Sequence, residues 1–274
     1  MIAIGPVSLT VADLARSIAF YTERLGFRVH AESQGSARLG AGAADLLVLV
    51  ESPGAHRLPG STGLFHFAVL LPSREALARS LAHLIETHTP LQGAADHLVS
   101  EALYLADPEG NGIELYRDRP RETWVWEDGA VKMTTDPLDV DALLEEGLAL
   151  GSAWRGLPET TTLGHVHLRV ADIASAERFY CGVLGFDLTT RYGTMASFVS
   201  AGGYHHHIAF NTWGGTGAPP APMGAAGLRE FVVRVSSEVE VERVLARARA
   251  AGTPVEPGAM VRDPSGNAVR LVAP

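Results

Sequence analysis

The sequence contains only one cysteine, Cys181, among 274 residues. An internal disulfide is therefore excluded, and the protein suits a reducing compartment. No apolar run is long enough to cross a membrane, and the opening stretch MIAIGPVSLTVADLARS lacks the basic and long apolar parts of a secretory signal. These absences predict a cytoplasmic protein that does not associate with membranes.

Positive charge is also scarce, with 22 Lys and Arg against 31 Asp and Glu and a net charge of −9. Nucleic-acid binding depends on Lys and Arg side chains that neutralise phosphates, so we expect no nucleic-acid partner. Neither common Gly-rich phosphate-binding pattern is present. What is present is the composition of a globular protein, 46% hydrophobic and 19% charged, in a chain long enough for two domains.

The chain contains an internal repeat. VSLTVADLARSIAFYTERLGF at residues 7–27 matches VHLRVADIASAERFYCGVLGF at residues 166–186, and each shared position lies 159 residues after its partner. Because no gap interrupts the match, we interpret it as a duplication and expect a fold built from repeated units.

A second, weaker repeat relates GLFHFAVLLPSREALARSLAHL to GLREFVVRVSSEVEVERVLARA, and DPEGNGIEL to DPSGNAVRL. Together the repeats predict four modules. Their ranges are 4–57, 62–118, 162–214 and 225–273. We therefore expect a first domain at residues 1–118, a linker at 119–161 and a second domain at 162–274.

The order of elements within a module follows from its hydrophobic pattern. Alternating apolar residues such as Val166, Leu168 and Val170 predict an opening strand with one buried face. A helix follows, for which Asp13 and Asp172 are the expected caps in modules one and three. Further strands separated by Gly-rich turns complete a βαβββ order, which makes the protein α+β. The linker fits no module and is predicted to be a hairpin or arm followed by a short helix.

Three motifs connect the chain to a known family. The pattern H-V-x-L-x-V-x-D…F-Y…L-G-F, the fourfold βαβββ order and D-P-x-G-N-x-I-E-L together resemble the vicinal oxygen chelate superfamily, which includes glyoxalase I, the bleomycin-resistance proteins and the extradiol ring-cleaving dioxygenases. The stretches GLFHFAVLLP, DHLVSEALYLADPEGNGIELYRDRP and GYHHHIAFNTW most resemble two-domain bacterial catechol 2,3-dioxygenases. The resemblance covers everything except the linker and implies two glyoxalase-like domains with curled mixed sheets.

The resemblance also implies a set of metal ligands, since members of the superfamily take them from the first and last strands of a module. His165 stands at the first-strand position of module three, His66 at that of module two, and Glu114 at the last-strand position of module two. Two imidazoles and a carboxylate form the facial triad of non-haem Fe(II) oxygenases. We therefore expect Fe(II), with Mn(II) as the alternative metal.

Modules one and four depart from this pattern. Pro6, Glu230 and Arg270 occupy the corresponding positions, and an arginine stays charged and does not ligate metals. The better-known extradiol enzymes place the whole site in modules three and four, whereas the expected ligands here belong to modules two and three. We infer that modules two and three share one cup, within one chain or across a dimer, and that modules one and four pair elsewhere.

The run His205-His206-His207 has two interpretations. Alignment on Ile208 and Ala209 gives His206 the acid–base role of the extradiol enzymes, and we prefer it. Alignment through NTWG to glyoxalase I makes His207 a fourth metal ligand instead. Strand alternation would place His206 on one face and its two neighbours on the other, without identifying the face that lines the cup. His205 is then expected to be structural or exposed.

Two further positions follow from the resemblance. His97 matches a histidine that contacts substrate or oxygen in related enzymes, so we include it among the catalytic residues. Those enzymes often have a tyrosine nearby, but Leu105 occupies that position here and Tyr104 is its neighbour. His167 lies two residues after His165 and so projects from the same face of the predicted strand. It is equally well interpreted as lining the cup or as a packing residue.

The implied function is extradiol cleavage of catechol or a small substituted catechol by O₂, giving a 2-hydroxymuconic semialdehyde in the breakdown of aromatic compounds. Members of the superfamily often dimerise, so a homodimer is expected. The first alternative is a glyoxalase-type Ni²⁺ or Zn²⁺ isomerase or lyase, although that class tends to use an additional glutamate. The second is a non-catalytic protein that sequesters a small molecule, although such members usually lack the metal triad.

Overall fold

The computed structural model describes residues 2–151 and 154–274. Within it the four modules have the predicted βαβββ order. Module one contains β1 (Ala3–Val11), α1 (Leu14–Ala19) continued by a π-helical turn (Phe20–Arg24), β2 (Arg28–Ser33), β3 (Ser36–Gly40) and β4 (Asp45–Glu51). Module two contains β5 (Gly63–Leu70), α2 (Arg74–Glu86), β6 (Gly93–Asp96), β7 (Ser100–Ala106) and β8 (Gly112–Asp118).

The segment between the halves of the chain has its own elements. They are a 3₁₀ turn (Arg121–Thr123), β9 (Trp126–Glu127), β10 (Ala130–Val131), β11 (Asp136–Pro137) and α3 (Val140–Ala149). Strands β9 and β10 form a short antiparallel hairpin, and β11 adds to the edge of a larger sheet by pairing with β6. Two positions of the predicted linker, 152 and 153, lie outside the described residues.

The second half repeats the order of the first. Module three contains β12 (Thr162–Arg169), α4 (Ile173–Glu177) continued by a π-helical turn (Arg178–Val183), β13 (Asp187–Tyr192), β14 (Ala196–Ser200) and β15 (Ile208–Asn211). Module four contains β16 (Gly227–Arg234), α5 (Glu238–Ala250), β17 (Val255–Glu256), β18 (Met260–Arg262) and β19 (Ala268–Val272). The fold is therefore α+β, as predicted.

Each of the two curled mixed sheets combines one module from each half of the chain. The nine-stranded sheet has the order β11-β6-β7-β8-β5-β12-β15-β14-β13 and so joins modules two and three. The eight-stranded sheet has the order β17-β18-β19-β16-β1-β4-β3-β2 and joins modules one and four. The pairing inferred from the ligand positions is confirmed, and it occurs within one chain. Each half of the chain, predicted as a domain, contributes one module to each sheet.

The repeated helices are anchored in the same way in modules one and three. Asp13 accepts a hydrogen bond from the Arg16 amide at 2.9 Å, and Asp172 accepts one from the Ser175 amide at 2.8 Å, so both predicted caps are confirmed. An aspartate cap of this kind stabilises a helix by about 1 kcal/mol, because it satisfies an amide that has no partner within the helix. Among the described residues, no helix combines the length and apolar character that crossing a bilayer requires.

The same two helices carry tyrosines that connect them to the other module of their half. Tyr21 and Tyr180 are fully buried, and their hydroxyl groups donate to Asp107 at 2.8 Å and to Asp263 at 2.9 Å. These aspartates begin the two DPxGN turns. Each also accepts hydrogen bonds from the backbone amide and the side-chain amide of the asparagine in its own turn. The turns are thereby held against the helices of modules one and three.

Candidate metal centre

The three expected metal ligands lie on adjacent strands at the middle of the nine-stranded sheet. Ala68 of β5 pairs with Glu114 of β8 on one side and with His165 of β12 on the other. His66 stands two residues before Ala68, so it projects from the same face of β5. Because the side chain of Ala68 is only a methyl group, the glutamate and histidine side chains can approach each other above it.

The geometry of the cluster is compact. The Nε2 atoms of His66 and His165 each lie 3.0 Å from Oε2 of Glu114, and one potential ligand atom from each residue lies within 4.8 Å of the others. His165 donates a hydrogen bond to that oxygen, whereas His66 Nε2 is not directed for one. All three side chains are buried. The structure thus brings together the three ligands expected from the sequence.

The protonation states in the cluster suit a metal ion. Burial opposes ionisation of Glu114, but the charge and hydrogen bond of His165, together with the charge of His66, hold its pKa well below the ordinary value. Burial also lowers the pKa of His66, against the opposing influence of Glu114. Near neutral pH the cluster therefore contains a carboxylate and a neutral His66 imidazole, which are the forms that coordinate metals.

An unpaired buried atom provides a separate test of whether a metal fits. His66 Nε2 is buried and has no hydrogen-bond partner among the described residues. Leaving such a nitrogen without a partner costs about 1–3 kcal/mol, so buried polar atoms without one are uncommon. A cation held by Nε2 and by the adjacent Glu114 carboxylate would remove that cost. The residues present therefore fit a metal with imidazole and carboxylate ligands.

A pocket of about 310 Å³ opens beside the cluster. Its apolar walls include the aromatic rings of Phe65, Phe198 and Trp213. Polar side chains also line it, among them His97, Tyr104 and His206. A mostly apolar cavity with a few convergent polar groups and a metal cluster is the usual form of a small-molecule site.

The histidine run does not lie in a strand, so the prediction from strand alternation is wrong. Strand β15 begins only at Ile208, after the run. Gly202 and Gly203 precede the run with positive φ angles of 66° and 68°, which turn the chain away from an extended path. Outside a strand the two-residue period does not apply, and His205 and His206 lie side by side with their Nδ1 atoms 2.8 Å apart.

His206 lies next to the metal cluster. Its ring centroid is 4.1 Å from that of His165, and its side chain lines the pocket. Burial and the nearby histidines, above all His165, hold its pKa well below the ordinary value. The imidazole is therefore neutral near pH 7, with one nitrogen protonated and the other free to accept a proton.

The partners of His206 determine which nitrogen is free. His205 Nε2 lies 2.9 Å from Oδ1 of Asp118, and a carboxylate only accepts, so that nitrogen carries a hydrogen. With His205 in its neutral form, its Nδ1 accepts, which makes Nδ1 of His206 the donor in the bond between them. His206 is left with an unprotonated Nε2, for which the described residues provide no hydrogen bond. We refer to Asp118, His205 and His206 as the histidine relay.

The strand that carries Glu114 also positions this relay. Glu114, Tyr116 and Asp118 alternate along β8 and so project from one face of the sheet. Tyr116 packs against His165 with ring centroids 5.0 Å apart, and its hydroxyl is 2.7 Å from that of Tyr204. The Tyr204 hydroxyl in turn donates to Oδ1 of Asp118 at 3.2 Å. One strand face therefore supplies both the carboxylate of the metal cluster and the carboxylate of the relay.

His207 is separated from the cluster. Its Nδ1 accepts a hydrogen bond from the Ala201 amide at 3.3 Å and lies 3.0 Å from the Ser200 hydroxyl. Burial lowers its pKa to about 4, with the charge of His205 contributing. It belongs neither to the three-residue cluster nor to the lining of the pocket. The structure therefore does not bring the possible fourth ligand together with the other three.

His97 and Tyr104 form a second polar pair in the pocket. His97 Nδ1 donates to the Thr134 carbonyl at 2.6 Å, and its Nε2 lies 2.6 Å from the Tyr104 hydroxyl. Tyr104 stands opposite Glu114 in the β7–β8 ladder. Burial, with the negative charge of Glu114, raises its pKa well above the ordinary value, so it remains a neutral phenol.

Leu105 and Tyr104, the two residues at and beside the position of a tyrosine in related enzymes, lie in different surroundings. Leu105 is fully buried in the core, whereas Tyr104 lines the pocket. The strand register across the DPEGN turn places Tyr104 opposite Glu114. That register is a signal from which Tyr104 could have been identified as a pocket residue in the sequence.

Several lining residues were missed or left open by the sequence. His167 lines the pocket, accepts a hydrogen bond from the Asn211 amide at 2.8 Å and packs edge-on against Phe65. Met133 and Thr134, from the segment predicted as a linker, form another part of the wall. A connecting segment shows no module pattern, so its proximity to the site becomes visible only in the folded chain.

The sequence as a whole matches the family description "Glyoxalase/Bleomycin resistance protein/Dioxygenase superfamily" over residues 3–115 and 162–271. The chain belongs to this superfamily, which confirms the resemblance seen in its motifs. It is 48% identical over 258 residues to the catechol-2,3-dioxygenase of Bacillus subtilis (strain 168), an alignment that covers 92% of this chain and 90% of that relative.

Solved structures support the same fold. A protein of Bacillus subtilis subsp. subtilis str. 168, proposed to be a dioxygenase, superimposes with a TM-score of 0.69 at 14% identity, covering 99% of this chain and 84% of that one. Glyoxalase I from Zea mays superimposes with a TM-score of 0.59 at 17% identity, covering 100% of this chain and 92% of that one. At such low identity these similarities establish the shared architecture alone.

Proposed function

We propose that the protein is an extradiol dioxygenase that cleaves the ring of catechol or a small substituted catechol with O₂. The observation that carries the proposal is the buried cluster of His66, Glu114 and His165 at the end of a pocket with aromatic walls. The relative named catechol-2,3-dioxygenase, at 48% identity over almost the whole chain, supports the same reaction class.

Fe(II) is the proposed metal, with Mn(II) as the alternative. His66, Glu114 and His165 would hold it, and the absence of sulfur from this ligand set favours iron or manganese over softer ions. When bound, such an ion supplies open coordination positions and redox chemistry beside the substrate. The chain itself binds and orients the diol, excludes water and moves protons.

The aromatic walls would select a flat substrate. Phe65, Phe198 and Trp213 surround the pocket and can contact the faces and edges of a catechol ring. Orienting the ring in this way places its two hydroxyl groups towards the three ligands, so that a bimolecular encounter becomes a local one. The limited volume of the pocket favours catechols with small substituents.

His206 is the proposed acid–base residue. Its unprotonated Nε2 can accept a proton from one catechol hydroxyl and return it as the ring opens. Asp118 and His205 are positioning residues in this scheme, because they act on the substrate only through His206. The expected product is a 2-hydroxymuconic semialdehyde.

His97 and Tyr104 would act on the other side of the pocket. The Tyr104 phenol stays neutral, and His97 orients it by accepting its hydrogen. Rotation of the Tyr104 O–H bond away from His97 would let the hydroxyl donate to an oxygen atom of the substrate or of O₂. The Nε2 atom of His97 would then be available to the same molecule. Both roles are testable by substitution with phenylalanine and glutamine.

The proposal is tested by oxygen uptake with catechol. Protein purified without oxygen is loaded in parallel with Fe(II), Mn(II), Ni(II) or Zn(II), and a Glu114→Gln variant serves as the control without the carboxylate ligand. Uptake with Fe(II) or Mn(II), together with a yellow product, is the expected result. No oxygen uptake with any of the metals and several catechols would refute the proposed dioxygenase function. Metal-dependent isomerase activity on thiol adducts of methylglyoxal would then be the next function to assay.

A further inference from the structure

A second cleft, of about 220 Å³, lies where the two sheets meet. The eight-stranded sheet contributes Thr10 from β1 and Arg229 from β16, and the nine-stranded sheet contributes Leu64 from β5 and Arg169 from β12. The loop that carries Arg57 completes one side. None of these residues belongs to the metal cluster or to the pocket beside it.

The charge of this cleft is opposite to that of the protein. Of the residues that the structure describes, four arginines and no Asp or Glu line it, although the chain has a net charge of −9. One of the four, Arg262, is ion-paired with Glu256 at 2.7 Å. For Arg57, Arg169 and Arg229, the described part of the chain offers no ion pair. We refer to these three residues as the unpaired arginines.

Two of the unpaired arginines share a single acceptor. The guanidinium groups of Arg57 and Arg169 both donate to the Leu64 carbonyl, at 3.2 Å and 2.6 Å. Each side chain is partly buried, and burial lowers the pKa of both groups, to about 10 for Arg169, where the charge of Arg57 adds to the effect. A guanidinium has five N–H donors, so most donors of this pair are still available.

The surrounding backbone leaves room for both side chains. A Cβ atom at Gly110 would lie 3.3 Å from Nη1 of Arg57, and one at Gly214 would lie 3.2 Å from Cδ of Arg169. Arg169 also places its guanidinium carbon 5.1 Å from the centre of the Phe65 ring, a favourable cation–π contact. The two guanidinium groups are therefore held in place by packing, despite their mutual repulsion.

Two adjacent, partly desolvated cations without an ion-pair partner are unfavourable, and the charge of Asp107 only partly offsets the burial of Arg57. An anion between them would form charge-assisted hydrogen bonds with both. We propose that the cleft is a binding site for a small oxyanion, a phosphate or a carboxylate, held by Arg57 and Arg169 with the exposed Arg229 nearby. The forked guanidinium geometry matches the paired oxygens of both kinds of anion. This site is separate from the proposed catalytic function.

Thermal unfolding and isothermal titration calorimetry of the whole chain test the proposal. Inorganic phosphate and acetate are compared with chloride at matched ionic strength. We expect phosphate or acetate to raise the Tm by about 5 °C at a hundred times its Kd, beyond any effect of chloride. The anion that binds more tightly identifies the class of ligand. Equal effects of all three salts would overturn the proposal.

Matched variants locate the binding. Arg57→Gln and Arg169→Gln should each weaken binding at least about tenfold, because each removes a charge-assisted contact. Arg243→Gln, which removes an exposed arginine paired with Glu240 on α5, should leave binding unchanged. Arg169→Lys keeps the charge without the fork, so it should fold and bind more weakly than the wild type. Unchanged affinity in both glutamine variants would refute the site.

Discussion

Removing the carboxylate at the end of the histidine relay should impair catalysis without dismantling the site. In Asp118→Ala, His205 loses its acceptor and can adopt either tautomer. His206 is then no longer held as the donor at Nδ1, so its Nε2 is unprotonated in only part of the molecules. A hydrogen bond to a charged group contributes about 1.5–3 kcal/mol. Since the Asp118 side chain is 24% exposed, we take the lower part of that range, which corresponds to a loss of roughly tenfold in kcat.

The conservative variant Asp118→Asn distinguishes tautomer control from simple loss of structure. The Oδ1 atom of Asp118 accepts from both His205 and Tyr204, and an asparagine oxygen in its place can still accept from both. We therefore expect Asp118→Asn to keep kcat within a few-fold of the wild type. The assay combines steady-state oxygen uptake with long-range ¹H–¹⁵N NMR, which reports the protonated nitrogen of His206.

Two results would refute the reasoning about the relay. One is a wild-type kcat in a folded, metal-loaded Asp118→Ala protein. The other is an equal loss in the alanine and asparagine variants, because that outcome would require the negative charge itself rather than an acceptor. A change confined to KM would instead assign Asp118 to substrate binding, which also contradicts a role exerted through His206.

Four further substitutions, one of them a control, probe the cluster and its surroundings. Ala68→Leu should place a bulky side chain between Glu114 and His165 and abolish metal binding, at a stability cost of about 1–3 kcal/mol. The control Ala102→Leu, in the same small buried group, should lower the Tm but keep the metal. Metal content and thermal unfolding measure both effects. Glu114→Gln should weaken metal affinity more than about a hundredfold, measured by competition with a chelator, and retained affinity would contradict the ligand assignment. His207, with a pKa of about 4, stays neutral in the folded protein at pH values where it would protonate in the unfolded chain. The free energy of unfolding should therefore fall as the pH drops from about 6.5, by about 3 kcal/mol near pH 4. His207→Gln should flatten this fall, and an unchanged slope would contradict the burial argument.

The metal cluster could be anticipated because its signals are local or repeated. His66 and His165 stand at equivalent positions of repeated strands, and Glu114 follows a turn whose sequence recurs in module four. Strand alternation then requires each side chain to face one side of its own strand. The absence of ligands from modules one and four was enough to infer which modules pair, and the nine-stranded sheet has that pairing. The homodimer and the cytoplasmic location stay predictions.

The histidine run shows where this kind of inference fails. Its apolar context predicted a strand, but two glycines with positive φ turn the chain before Ile208, and the side chains follow contacts rather than a two-residue period. His205 was expected to be structural or exposed, and of these two expectations only exposure is wrong, because the residue is buried between Asp118 and His206. No local pattern indicates a partner that lies 87 residues away in the sequence.

The sequence by itself determined the number and order of the modules, the caps of the repeated helices and the three residues of the candidate metal site. These depend on hydrophobic period, repeat and residue type, all of which act over short stretches of chain. Only the tertiary structure decided the contacts of His206, the walls of the pocket and the cleft of unpaired arginines. Each of these arises where distant segments pack together, and the energies involved depend on burial and on partners that exist only in the folded chain.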